Sequence, residues 1–295
     1  MDALEAHVIA SESLAVMVVP QLGGRVIELT DLRHSRQWLW RNHHVPLQPV
    51  VAGAAYDDVW QGGFEELFPN DAPATLDGVK YPDHGELWSI PWDIEERSKG
   101  SLTLSVTGPT TGVQVSKTLQ VAGAELKVRY RLEHEGDDPL PHLFKLHPAF
   151  AIDGACRLDL PGGTVEKVDA EFGNLLDSTE TQSWPTQAHL AQCRDRLSKT
   201  SEFVYVSNLP ESWCGITDTR TDSWVRIRYS DEVFPYCWIF MTYGGWRDHN
   251  VVVLEPCTNY PKDLESAIAE RTHATLAPGV AKEFEVTFSV GGVDD

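Results

Sequence analysis

The 295-residue chain carries 44 acidic side chains against 24 lysines and arginines, a formal charge of −20, and its cations are scattered rather than gathered in a stripe. Phosphate neutralisation needs a basic surface, so this balance excludes sequence-independent nucleic-acid binding and makes polyanions poor partners. Cys156, Cys193, Cys214, Cys237 and Cys257 form no C-x-x-C pair and are odd in number, the usage of reduced thiols. With no basic-then-apolar leader and no apolar run near the roughly 18 residues of a membrane span, the expected location is the cytoplasm, without membrane contact.

Strand signals run along almost the whole chain. Ala15–Val19, Ser101–Thr107, Gly112–Val121, Glu125–Glu133, Glu202–Ser207, Trp224–Tyr229, Tyr236–Thr242, Val251–Glu255 and Glu283–Val290 are short runs rich in Val, Leu, Thr and aromatics, bounded by Gly, Pro, Asp and Asn. Ser101–Thr107 alternates, its leucines and valine on one face and its hydroxyls on the other, as a strand between core and water does. The pattern predicts a large antiparallel all-β sandwich in one domain spanning residues 1–295, with few short helices. Helical spacing is visible at Lys262–Arg271 and more weakly at Gln187–Lys199. Residues 41–92 lack sustained alternation and are rich in Gly, Pro, Asp and aromatics, the character of a long loop segment that carries function.

Three segments each deliver a proton-transfer group. In Leu143-Phe144-Lys145-Leu146-His147-Pro148, alternation puts Phe144 and Leu146 toward the core and Lys145 and His147 on the other face. Pro148 cannot donate to a sheet ladder, which places His147 at a strand end. His142 falls on the opposite face. Glu255 closes the apolar run Val251–Leu254 ahead of Pro256; an unpartnered carboxylate there costs several kcal/mol of desolvation or takes up a proton, so it is either a structural ion pair or a general base. His84-Gly85 follows Tyr81 and precedes Trp88 and Trp92, with Gly85 allowing a tight turn and the aromatics offering flat faces for a sugar. Two imidazoles and a carboxylate suit acid–base chemistry on a neutral, hydroxyl-rich substrate.

The order of these pieces, an HG motif, a strand histidine and the Leu254-Glu255-Pro256 segment, with Leu276-Ala277-Pro278-Gly279 downstream, resembles the aldose 1-epimerases of the galactose mutarotase-like superfamily. The resemblance extends from Leu22-Gly23-Gly24-Arg25 to the last strand. It implies a single β-supersandwich domain that binds a pyranose and converts one anomer to the other, with no cofactor and no metal. By motif position Glu255 would be the base on the anomeric hydroxyl, His147 the acid on the ring oxygen, and His84 a hydrogen-bond partner beside it. Better-known members carry an arginine ahead of the HG motif, whereas no arginine occurs here between Arg41 and Arg97. Arg25 or Lys145 would replace it, Asn70 and Asp71 would hold hydroxyls, and Trp88 and Trp238 would pack on the sugar. Glu65 and Glu66 read either as further hydroxyl ligands or as a solvated acidic turn. The partner is then a small-molecule sugar, and nothing in the pattern sets an oligomeric state.

Two other classes fit parts of this pattern. A non-catalytic sugar-binding or sugar-sensing protein would use the same fold and aromatics without needing both His147 and Glu255. A metal-dependent isomerase or lyase would draw on His84, His147, Glu255 and His43, His44 or His249, but metal sites favour closely spaced ligands and these are dispersed.

Overall fold

The computed structural model describes residues 4–168, 172–176, 180–185 and 189–293. Two antiparallel sheets dominate. The first has 11 strands, in the order His7–Ala10, Leu14–Val19, Arg25–Asp31, Phe64–Leu67, Lys145–Ala151, Asn250–Cys257, Tyr236–Tyr243, Thr200–Ser207, Thr164–Lys167 and Gln182–Ser183, with Arg36–Gln37 paired onto Arg25–Asp31. The second has eight: Cys156–Asp159, Trp213–Asp218, Ser223–Arg228, Lys282–Gly291, Glu125–Glu133, Gln114–Ala122, Ser101–Thr107 and Asp93–Arg97. The expected all-β class is the observed one. Among the described residues the α-helices are Tyr56–Val59 and Leu264–Glu270, and no helix is long and apolar enough to cross a membrane.

The main core lies between the sheets, where the inward positions of each strand interdigitate: Leu146, Phe150, Val252, Leu254, Ile239, Met241, Val204 and Val206 from the first sheet meet Leu102, Leu104, Val128, Ile227 and Phe288 from the second. Burying such side chains gives about 1.5–3 kcal/mol each. The opposite face of the first sheet is also covered. Tyr56, Trp60, Trp88, Ala149, Val251 and Val253 form a second cluster there, beneath the segment that lacked alternation in the sequence.

Three expectations change. His147 is interior to its strand rather than at an end: Lys145–Ala151 continues through Pro148, whose absent N–H is tolerated because Lys145↔Cys257 and Ala149↔Val253 bracket the gap in the ladder. Gln187–Lys199 forms no α-helix among its described residues; Asp195 caps only a 3₁₀ turn, Arg196–Ser198, and residues 187 and 188 lie outside the described residues. Glu65 and Glu66 are no solvated turn but occupy a central strand, at 0% and 1% exposure. The helix read at Lys262–Arg271 is present as Leu264–Glu270, capped by the Asp263 side chain.

Candidate active site

On the outer face of the first sheet a pocket of about 290 Å³ brings together residues from six distant stretches, among them Tyr56, Asp71, His84, Lys145, His147 and Glu255. Strand pairing places the central pair. The register Lys145↔Cys257 and Ala149↔Val253 sets His147 opposite Glu255 on neighbouring strands, and alternation turns both away from the core. His147 Nε2 lies 4.0 Å from Glu255 Oε1. The other carboxylate oxygen, Oε2, sits 2.5 Å from Lys145 Nζ, which also contacts Asp71 Oδ2 at 2.6 Å. One ammonium therefore compensates two carboxylates. Burial disfavours its charge, yet Asp71 and Glu255 prevail and hold the lysine pKa above its ordinary value. For Asp71 the balance is the same in mirror image: desolvation pushes its pKa up, but Lys145 and His84 bring it below the usual carboxylate range.

The far ring nitrogen of His147 has its own support. Tyr56 donates its hydroxyl to Glu65 Oε1, and Glu65 is ion-paired with Arg25. Burial and the adjacent Glu65 charge raise the Tyr56 pKa far above the ordinary value, so the phenol keeps its proton. That proton being committed to Glu65, the phenol oxygen accepts from His147 Nδ1, 3.0 Å away. Nδ1 thus carries the hydrogen, and Nε2 is left facing the pocket.

His84 comes from a strained turn. His84 and Gly85 have φ of 58° and 75°, and a Cβ on Gly85 would fall 2.1 Å from the Phe68 carbonyl oxygen, so only glycine fits. Backbone bonds His84 N to Asp71 O and Glu86 N to Phe68 O, both 2.7 Å, pin the turn. The His84 ring stacks on Tyr56 at 3.9 Å, with Nδ1 2.8 Å from Asp83 Oδ1 and Nε2 3.6 Å from Asp71 Oδ1. Burial alone would lower its pKa; Asp71 and Asp83 raise it instead.

His84, Asp71, Lys145, His147 and Glu255 thus share one cavity. Arg25, Asn70, Trp88 and Trp238, expected against the sugar, do not line it. Each is at most 2% exposed and supports a lining residue. Arg25 is consumed by Glu65 and the Gly62 carbonyl. Asn70 ties the Ala72 and Pro82 carbonyls together. Trp88 packs edge-on against Tyr56 and donates to Asp83 O, and Trp238 lies under the Lys145 ammonium at 4.4 Å. Of the two replacements expected for the missing arginine, Lys145 is the one in the pocket. Trp92 belongs to the main core, and burial pushes the His142 imidazole, outside the pocket, down to about 3. Among the described residues no group of three or more His, Cys, Asp and Glu side chains is placed to hold a metal ion.

Sequence reasoning missed Tyr56, Asp57, Phe172, Phe203, Phe240 and Lys262, all of which line the cavity. Tyr56 sits in a four-residue helix too short for any periodic signal. Phe203 and Phe240 had one: in Phe203-Val204-Tyr205-Val206 and Trp238-Ile239-Phe240-Met241 every aromatic falls on one face and every aliphatic on the other.

No protein-family model and no curated protein matches the chain. Solved structures do. The Slr1438 protein of Synechocystis sp. PCC 6803 superposes with a TM-score of 0.77 at 17% identity, over 99% of this chain and 97% of that one. A galactose mutarotase related enzyme from Lactobacillus acidophilus gives 0.72 at 15% identity, over 98% of each chain. A galactose mutarotase-like protein from Clostridium acetobutylicum gives 0.71 at 14%, over 98% and 96%. At such identities the likeness is one of fold, and it is the fold that the sequence motifs led us to expect.

Proposed function

We propose that this chain, built on the galactose mutarotase-like fold, is an aldose 1-epimerase that opens and recloses the ring of a pyranose by paired proton transfer. The observation that carries the reading is the placement of His147 Nε2 and Glu255 Oε1 4.0 Å apart on the floor of one pocket. A hemiacetal carbon bears two oxygens, the anomeric hydroxyl and the ring oxygen, and the reaction needs a base at one and an acid at the other.

Glu255 Oε1, the oxygen turned away from Lys145, takes the proton from the anomeric hydroxyl. Its electrons form the aldehyde C=O, the bond from C1 to the ring oxygen breaks, and His147, entering this step as an imidazolium with a hydrogen on each ring nitrogen, gives its Nε2 proton to the released oxygen and keeps the one on Nδ1. Rotation about C1–C2 turns the other aldehyde face inward. Reclosure reverses both transfers, with Glu255 as acid and His147 as base, so the enzyme returns to its starting state. Tyr56, Glu65 and Arg25 hold the His147 ring in one tautomer, and Lys145 fixes which Glu255 oxygen is available. His84, whose charged form Asp71 and Asp83 favour, donates to a substrate oxygen at the rim.

Polarimetry of freshly dissolved α-anomers across a panel of aldoses tests the reading. We expect wild-type protein to accelerate mutarotation of at least one sugar, and Glu255→Gln to fold normally while losing about 10²–10⁴ of that rate. Wild-type-like turnover in Glu255→Gln would remove the base assignment; sugar binding without catalysis in the wild type would make the protein a sugar receptor instead.

A further inference from the structure

The pocket is chemically divided. Apart from Lys262, its charged side chains come from the Lys145–Ala151 strand, Glu255, the Asp71–His84 loop and Asp57 beside Tyr56, whereas the next two strands along the sheet contribute only Phe240 and Phe203, joined by Phe172 and Trp246 from the adjoining segments. Phe240 contacts each of the other three rings: Phe172–Phe240 at 5.3 Å between centroids, Phe203–Phe240 at 5.8 Å and Phe240–Trp246 at 5.4 Å. They are not a flat platform. Phe203 is inclined 75° to Phe240, and Trp246 is inclined 85° to it.

That shape selects a ligand chemistry. The C–H face of an ordinary hexose can stack on one ring, but rings set nearly at right angles form a corner and enclose an edge of the sugar. A hydroxyl pushed between the Phe203 and Phe240 rings leaves water and finds no donor or acceptor, because phenylalanine has neither; among the four rings only the Trp246 indole carries a donor. A hydrogen or methyl group in its place is buried favourably. Lys262 also lines the pocket; its side chain is partly exposed, so its ammonium can stay in water.

The geometry points to a deoxy sugar as the substrate class: a pyranose with a free anomeric hydroxyl at the charged side and at least one other hydroxyl replaced by hydrogen, that position entering the corner of Phe203 and Phe240. This rests on the epimerase reading for its turnover, though not for its binding. The test compares kcat/KM for D-glucose with its 2-, 3-, 4- and 6-deoxy derivatives, and for D-galactose with 6-deoxy-D-galactose, by polarimetry or NMR. Titration calorimetry of the same sugars into Glu255→Gln gives the affinities apart from catalysis. We expect at least one deoxy sugar to exceed its parent by about 10–100-fold in both readouts, the discrimination an apolar pocket gives against one hydroxyl. Phe240→Gln and Phe203→Asn, either sufficing if the other fails to fold, should each shrink that ratio. Parents handled as well as every deoxy derivative would overturn the substrate class and leave the epimerase standing. A deoxy preference in binding with no catalysis in the wild type would sustain the class and overturn the epimerase. Neither binding nor turnover of any of these sugars would overturn both.

Discussion

Glu65 and Glu66 are neighbours on one strand, both buried, and each meets one tyrosine hydroxyl and one cation. Glu65 has Tyr56 and Arg25; Glu66 has Tyr130 and Lys117. The difference is the face of the sheet. Glu66 points between the sheets, where Lys117 also lies 4.6 Å over the Trp92 ring, and its charge only compensates another charge. Glu65 points outward, and its tyrosine passes the carboxylate's influence to a histidine in an open cavity. Similar partners therefore make a sealed ion pair on one side and a means of setting a tautomer on the other. What surrounds a buried carboxylate, more than its partner count, decides whether it can serve chemistry.

Substitution of each glutamate breaks the comparison most strongly. Glu66→Ala leaves Lys117 buried without a counter-charge and should cost about 3–5 kcal/mol of stability, seen as a lower urea midpoint, with turnover per folded molecule unchanged. Glu65→Ala strands Arg25 and costs a similar amount, but turnover per folded molecule should fall as well. Equal turnover in the two variants would show that the outward carboxylate has no special role.

The tyrosines sharpen the comparison at smaller cost. Tyr56→Phe and Tyr130→Phe should each lose about 0.5–1.5 kcal/mol, the net value of one hydrogen bond. Only Tyr56→Phe should slow turnover, on the order of tenfold as for an outer hydrogen-bond partner, and displace the pH–rate profile, because His147 Nδ1 then loses its acceptor. An unchanged profile would remove Tyr56 from the tautomer argument.

The smallest effect is the pH dependence of stability. The raised His84 pKa means that its charged form is favoured by folding, so this contribution is full below the unfolded value of about 6.5 and fades as pH rises through the folded pKa. Asp71 and Asp83, with lowered pKa values, contribute above about 3.9 and lose the contribution as pH falls through theirs. His84→Gln should flatten the alkaline limb of a melting-temperature profile. It should also reduce the acid limb in part, since Asp71 and Asp83 lose a counter-charge.

The parts of the fold that alternate were legible before any coordinates. Ser101–Thr107 and Glu125–Glu133 have one dry face and one wet face, and both appear with the expected bounds. Phe64–Leu67 was illegible because both its faces are dry: adjacent glutamates read as solvated unless one knows that residues 25, 56, 117 and 130 arrive to neutralise them. His147 was misplaced at a strand end because a proline usually marks one, and the neighbouring strands supplied the ladder around it. Motif order singled out His84, His147 and Glu255, and local alternation added Lys145. The supporting ranks were confused with the lining, since a sequence does not say which of two buried aromatics stands in front. Trp238 and Phe240 lie on the same face two positions apart, and only Phe240 reaches the cavity.

The meeting of the Lys145–Ala151 and Asn250–Cys257 strands joins halves of the chain that are remote along it: the Phe144 amide binds the Thr258 hydroxyl 114 positions away. Such closures are slow, and topologies rich in them reach the native state in milliseconds to seconds. Recovery of catalysis after dilution from urea should accordingly lag the return of the β-sheet circular-dichroism signal. Truncation before residue 250 should abolish the proposed epimerase activity completely, because Glu255, the base proposed for it, enters with the final third of the chain.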